Sequence, residues 1–219
     1  MSFNQLKKRL NVSSEFLNKI DRLYSDIKKY NKVHNITRIS TKDDFTDKHV
    51  YDSIYPFLNI LEKKKEDSFS VLDLGSGAGF PSIPLSFYFN SAKIYSIDSK
   101  KKKTNFVKKI KLAENLEKLH PINARIEMLD DSISEKFDIV IARALGNEDK
   151  ILGKIKLFLK DKGCFCCYLG ENSPFLIKMN SESGGKLLDS YGLKILLNKE
   201  YRLINGDKRF FLVINKKSV

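Results

Sequence analysis

Between Val71 and Pro81 the chain reads Val-Leu-Asp-Leu-Gly-Ser-Gly-Ala-Gly-Phe-Pro, an apolar run with one acid that empties into a loop of alternating glycines. Glycine populates positive φ and has no Cβ, so Gly75, Gly77 and Gly79 permit a sharp turn and expose bare backbone to a ligand. The apolar residues ahead of the loop have the character of a buried parallel strand, and Phe80 to Phe89 behind it reads as a helix. Strand, glycine turn and helix N-terminus together make a corner that takes nucleotide-type ligands. Dinucleotide-binding loops carry G-x-G-x-x-G, whose third glycine would fall at position 80, where Phe80 stands. The G-x-G-x-G spacing points away from that class of ligand and toward a different α/β fold.

From residue 70 onward short apolar runs alternate with helical patterns, the mark of a parallel sheet with crossover helices. Strands are predicted at 70–74, 93–97, 119–122, 137–142, 163–168, 193–200 and 209–215, with helices near 80–90, 100–113, 148–159 and 174–190. Asn205-Gly206 between the last two strands is a hairpin signal, so the sheet is expected to end antiparallel. Ahead of the sheet, Leu6, Leu10, Leu17, Ile20, Leu23, Tyr24 and Ile27 recur at helical spacing, with Ser13-Ser14 as a break and cap. Asn31 to Ser40 reads as a loop, about Asp43 to Leu61 as a second helix, and Lys63 to Asp67 as a charged linker. The expected organisation is an N-terminal helical extension over residues 1–66 packed on a sheet domain over 67–219, together one compact unit. The fold class is α/β, with a seven-stranded, mostly parallel sheet ending in an antiparallel hairpin. With its G-x-G-x-G loop, this arrangement is similar to the Rossmann-like class I methyltransferases that use S-adenosylmethionine.

Charge supplies a second constraint. Forty Lys and Arg stand against 27 Asp and Glu, a net charge of +13. The excess is uneven: residues 93–118 hold nine Lys against three acids, and residues 194–219 hold seven basic residues against two acids. Such a balance favours a polyanionic partner through phosphate contacts and counterion release, although a Lys-rich codon bias gives the same count without function. No stretch approaches the roughly 18 apolar residues of a membrane span. Lys7, Lys8 and Arg9 lie in a polar N-terminus that lacks the apolar core of a secretory signal. Cys164, Cys166 and Cys167 crowd into one predicted central strand, where free thiols behave as small apolar residues in a reducing cytoplasm. With three His in the chain and all three Cys packed into one predicted strand, no metal site is expected.

Several residues fall where such a fold does chemistry. Asp98 ends the second strand, 23 residues beyond Gly75. A carboxylate there can accept both ribose hydroxyls of an adenosyl ligand; the plain alternative is a cap for the helix that Ser99 and the Lys run open. Asp73 lies inside the first strand, where a buried acid is costly unless hydrogen-bonded. It either braces the glycine loop or receives the ligand's ammonium, directly or through water; otherwise it is a solvated strand end. Arg125-Ile126-Glu127 follows the third strand, where nucleoside sites of this kind read an adenine edge, with Ile126 on the ring and Glu127 nearby; taken alone the triplet carries no signal. The fourth strand ends in Ala142-Arg143-Ala144, at the carboxyl edge where open α/β sheets bind ligands. Methyltransferases of exocyclic amines carry Asn-Pro-Pro-aromatic there, and those attacking pyrimidine C5 carry Pro-Cys. Neither is present. Arg143 suggests electrostatic handling of RNA or cofactor with no covalent step, against the alternative of an ordinary surface arginine.

Taken together the residues resemble the RsmG (GidB) family, bacterial methyltransferases of a guanine N7 in small-subunit (16S) ribosomal RNA. The resemblance runs from about residue 28 to 217 and rests on Tyr30-Asn31-Lys32, Asn35-Ile36-Thr37, Lys48-His49-Val50-Tyr51-Asp52-Ser53-Ile54 and the glycine loop with Phe80-Pro81. It continues through Asp98-Ser99, Lys102, Phe106, Ala124 to Glu127, Ala142 to Ala144, and Lys208-Arg209 before Phe211 to Ile214. It implies S-adenosylmethionine as cofactor and 16S ribosomal RNA or the small subunit as partner. Gly75, Phe80, Ile126, Glu127 and Arg143 would line the cofactor site; Asp73, Ser76, Gly77, Gly79, Asp98, Ser99 and Arg125 join them on the reading above. Asn35, Arg38, His49 and Asp52 would shape the mouth where guanine enters, and Lys100, Lys101, Lys102, Lys208 and Arg209 would hold the RNA backbone. Guanine N7 already carries an in-plane lone pair, so no general base is expected and Arg143 would act by positioning. The chain is expected to be a cytoplasmic monomer with no membrane partner. Two positions depart from the family pattern: Ser82 stands where the family usually has Gly, and Leu169 where it tends to have Lys. Leu169 is expected to remove a cation from the active face. A methyltransferase of another RNA or of a small acidic metabolite, and a non-catalytic RNA-binding module, remain the alternatives.

Overall fold

The structure is a computed structural model that describes residues 1–38, 41–61, 68–129, 136–143 and 148–217. The linker expected at Lys63 to Asp67, the boundary between residues 66 and 67, and Ala144 lie outside the described residues.

The N-terminal periodicity resolves into α1 (Phe3–Leu10), capped reciprocally by Ser2 and Gln5, and α2 (Ser14–His34), capped by Ser13. α2 runs past the expected loop start at Asn31 and ends only at Asn35, which takes the left-handed φ of +46° that asparagine tolerates. The next helix is composite. α3 (Lys42–Asp44) passes through a π-helical stretch (Phe45–Tyr51) into α4 (Asp52–Leu61), with Asp52 N–H donating to the Asp47 carbonyl. Leu6, Leu10, Ile20, Leu23 and Ile27 are at most 2% exposed and share one cluster with sheet residues such as Val71 and Ile139. At about 1.5–3 kcal/mol each, five such side chains contribute on the order of a whole domain's stability. The extension and the sheet therefore share a core.

All seven expected strands form: β1 (Ser70–Leu74), β2 (Lys93–Asp98), β3 (Leu119–Asn123), β4 (Phe137–Arg143), β5 (Leu159–Gly170), β6 (Leu193–Arg202) and β7 (Lys208–Lys216). They lie in the order β3-β2-β1-β4-β5-β7-β6. Pairing is parallel from β3 across to β5, and β7 inserts antiparallel between β5 and β6. The order reverses between β1 and β4, which places a ligand crevice at their carboxyl ends. Alternation divides each strand between two faces. Val71, Ile141, Cys166 and Tyr168 face the N-terminal helices, α5 (Ser82–Tyr88) and α6 (Lys101–Ala113), and Asp73 and Arg143 are in phase with them. Leu72, Val140, Cys167 and Leu169 face α7 (Glu148–Phe158), α8 (Pro174–Met179) and α9 (Glu182–Ser190). The helix expected over 174–190 is thus two, divided where Ser181 accepts from the Gly184 N–H and caps α9.

Candidate active site

The glycine corner is a sharp turn held by its neighbours. Gly75, Gly77 and Gly79 adopt φ of +75°, +61° and +87°. A Cβ on Gly79 would stand 2.4 Å from Ile83 Cδ1, so a side chain there would have to displace Ile83 at a φ that L-residues rarely adopt. Ser76 N–H donates to the Ile97 carbonyl, and the Ser76 carbonyl accepts from Gly79 and Phe80, all at 2.9 Å. Asp98 braces the glycine loop and the start of α6: Oδ2 accepts from Gly77 N–H at 2.9 Å and Oδ1 from Lys100 N–H at 2.8 Å. Each carboxylate oxygen keeps a lone pair for a further donor. Ser99, Lys100, Lys101 and Lys102 are exposed immediately beyond it.

Asp73 is fully buried, which sets aside the solvated strand end. Its Oδ2 accepts from Ser82 Oγ at 2.5 Å, and its Oδ1 has no hydrogen-bond partner. Burial raises its pKa from 3.8 to about 7, opposed by the Ser82 hydrogen bonds and the charge of Arg143 and assisted by Asp98. Beyond β3, a single 3₁₀ turn (Ile126–Met128) half-buries Ile126 against the second-face cluster and leaves Arg125 and Glu127 exposed.

A second group descends on this corner from the composite helix. His49 stacks face to face on Phe80, with ring centroids 4.1 Å apart and planes 9° from parallel. Its Nε2 lies 3.0 Å from Thr37 Oγ1, and Asn31 brackets Thr37 by accepting from its N–H and donating to its carbonyl. Burial first, and then Arg143, hold the His49 pKa well below 6.5. Arg143 pairs with Asp52 at 2.8 Å, donates to Ser53 Oγ at 3.2 Å and to the Lys48 carbonyl, and lies over the Tyr168 ring. Asp52 also accepts from Tyr201 OH at 2.6 Å, and Tyr168 OH donates to the Ser53 carbonyl at 2.7 Å. Asp47, 2% exposed, accepts from the N–H groups of Ile204 and Asn205 in the β6–β7 turn, both at 3.1 Å. The composite helix is clasped to β4, β5 and the terminal hairpin. Asn35 and Arg38 are exposed on the segment leading into it.

Comparison with known proteins identifies the family. The family model for rRNA small subunit methyltransferase G (GidB) matches residues 16–183, most of the chain, from α2 through the composite helix and the glycine corner to β5. The chain belongs to the rRNA small subunit methyltransferase G family. A Streptococcus gordonii protein named ribosomal RNA small subunit methyltransferase G is 32% identical over 200 residues, 90% of this chain and 81% of that one. Its namesake from Aster yellows witches'-broom phytoplasma is 31% identical over 206 residues, 92% of each chain. Among solved structures, the chain is similar to M. jannaschii TYW2 in complex with AdoMet, at TM-score 0.55 and 18% identity over 75% of this chain and 76% of that one. That likeness concerns the fold, which is the Rossmann-like methyltransferase fold. The cofactor of this family, S-adenosylmethionine, fits the residues present. An added Cβ on Gly77 would meet only Lys103 Nζ, at 3.6 Å, so the backbone there is open to a ligand, and Asp73 Oδ1 is a buried acceptor without a donor.

Within the GidB pattern the two departures have different consequences. Leu169 is 3% exposed and packs in the cluster beneath α7 to α9, while Tyr168 beside it faces Arg143. The expectation that Leu169 removes a cation from the active face is corrected: alternation turns position 169 to the opposite face. Ser82 is no passive first-turn residue, since it holds Asp73. Asp47, Ser53, Tyr168 and Tyr201 were not anticipated as parts of the site. Asp47 and Asp52, set among the apolar residues of the stretch from Phe45 to Leu61, are the signal that could have found the clasp, because buried acids require partners. Lys208 and Arg209 line an open cleft of about 600 Å³ with Gly170, Ser173 and Arg202, where they pair with Glu171 and Asp207 at 3.1 Å each. Among the described residues no three His, Cys, Asp or Glu side chains could hold a metal ion, and no helix is long and apolar enough to cross a membrane.

Proposed function

We propose that this protein transfers a methyl group from S-adenosylmethionine to N7 of a guanine in 16S ribosomal RNA of the small subunit, acting as a monomer in the cytoplasm. The observation that carries this reading is the seam in which His49 stacks on Phe80 at the end of the glycine loop, because it joins the family's N-terminal motifs to the cofactor corner. S-adenosylmethionine supplies an electrophilic methyl group on a sulfonium. Gly75, Ser76, Gly77 and Gly79 present backbone to it, Asp98 accepts from its ribose, and Asp73 faces its ammonium. Phe80, Ser99, Arg125, Ile126 and Glu127 border the adenosyl end.

Arg143 is a positioning residue. Its guanidinium is already tied to Asp52, Ser53 and the Lys48 carbonyl, so it fixes the composite helix over the cofactor edge. His49, Asn35, Arg38 and Asp52 then border the guanine entrance. His49 is neutral at pH 7 and adds no charge beside the incoming base. N7 keeps its lone pair at this pH, so the residues align it with the methyl group and take no proton from it. Lys100, Lys101, Lys102, Lys208 and Arg209 meet the backbone phosphates. The last two must exchange weak surface ion pairs for phosphate, at a cost of about 0–1 kcal/mol each.

Labelled S-adenosylmethionine tests this when small-subunit and large-subunit RNA are offered in parallel and then digested to nucleosides. The expected result is label in 7-methylguanosine from small-subunit RNA alone. Label in another nucleoside, or equally in both RNAs, contradicts it.

A further inference from the structure

The Asp73 carboxyl group is the one fully buried acid in the described site, and its two oxygens are treated differently. Asp73 lies opposite Ser96 of β2 and Ile141 of β4 in the sheet, and α5 closes over it with Ser82. Ser82 Oγ donates to Oδ2 at 2.5 Å, while Oδ1 has no partner. The charged groups that act on it are Arg143 from β4 and Asp98 from β2, of opposite sign. Neither is bonded to it: Arg143 is committed to Asp52, and Asp98 to the Gly77 and Lys100 N–H groups. A buried carboxyl without a bonded cation favours its neutral form, and a cation placed against it favours the ionised form.

We propose that Ser82 is a positioning residue that anchors one oxygen of Asp73 and leaves the other for the ligand's ammonium group, so that loading the site expels the Asp73 proton to solvent. This rests on the glycine corner being the S-adenosylmethionine site and adds a proton to its binding equilibrium. The step balances: the neutral carboxyl and the ligand ammonium become a carboxylate–ammonium pair and one released proton. Binding of the cofactor therefore strengthens as pH rises toward about 7, the pKa of Asp73. The ligand's own amino group stays largely charged up to that pH.

Calorimetric titration of the full chain with S-adenosylhomocysteine, in buffers of differing ionisation enthalpy, counts the protons released. 5′-Methylthioadenosine, which has the adenosyl group and no ammonium, is the control. The expected release for S-adenosylhomocysteine is close to one proton at pH 6 and about half a proton at pH 7, with the dissociation constant about fivefold weaker at pH 6. The control should release none. Ser82→Ala should weaken S-adenosylhomocysteine about tenfold, leave methylthioadenosine unchanged, and move the release at pH 7 toward a full proton. Equal release with both ligands, no release at pH 6, or an equal loss of both affinities in Ser82→Ala overturns the inference while the cofactor assignment stands. Failure of both ligands to bind the unaltered chain overturns the two together.

Discussion

Asp52 has a side chain only 4% exposed, and it is held between Arg143 and Tyr201. Removing one partner of a buried ion pair leaves the other uncompensated, which typically costs 3–5 kcal/mol. Asp52→Ala should therefore lose about that much stability in urea unfolding at pH 7, far more than an exposed carboxylate such as Glu182. His49 yields a pH prediction. Its pKa is lowered in the fold, so below about 6.5 the unfolded chain binds a proton that the folded one does not, and stability falls as pH drops. Asp73 works oppositely: the fold keeps its proton up to about pH 7 while the unfolded chain loses it near 3.8, so its contribution falls as pH rises between those values. His49→Phe keeps a ring on Phe80 and isolates the first effect: its midpoint should fall less than that of the unaltered chain between pH 7 and about 5.5. Asp73, Asp98 and Arg143 were legible in the sequence because strand ends and glycine spacing place them. The Tyr201 partner of Asp52 was not, since 149 residues separate them and only the finished sheet brings them together.

At the scale of elements, the sheet was legible almost strand by strand because each strand is apolar, short and bounded by turn residues. The composite helix was legible only as a helix. The i→i+5 stretch had no sequence signal of its own; it carries Asp47, which meets the hairpin, and leads into Asp52, which meets Arg143. The break between α8 and α9 had a signal in Ser181, a capping residue inside an otherwise helical pattern. The glycine turn gives the sharpest prediction here. Gly79→Ala puts a Cβ at φ +87° against Ile83, which costs on the order of 1–3 kcal/mol and shifts the loop. Equilibrium dialysis should show cofactor affinity reduced at least tenfold in that variant, with far-UV circular dichroism unchanged. Asp47→Ala should leave cofactor binding intact and raise amide exchange in the β6–β7 turn, whose two N–H groups lose their acceptor.

At the scale of the whole molecule, the shared core predicts how the chain unfolds. We propose that residues 1–66 and 67–219 form one cooperative unit, since α2 joins the sheet layer through buried side chains and through the Arg22–Glu114 and Lys109–Asp26 pairs at 2.7 Å. Tyrosine fluorescence and circular dichroism should then report a single coincident transition. The net charge of +13 predicts RNA binding that weakens steeply with salt, by roughly 10³ between about 50 and 200 mM if six phosphates are contacted. A metabolite enzyme would hold its Michaelis constant over that range. The substrate itself was legible only through family motifs, because charge identifies a polyanion and not a base. The most direct measurement is chemical cleavage at 7-methylguanine after small-subunit RNA and assembled subunits are incubated with the protein and S-adenosylmethionine. One cleavage site in 16S RNA, absent without the protein or without the cofactor, is the predicted result; no site above the control on either substrate contradicts the account.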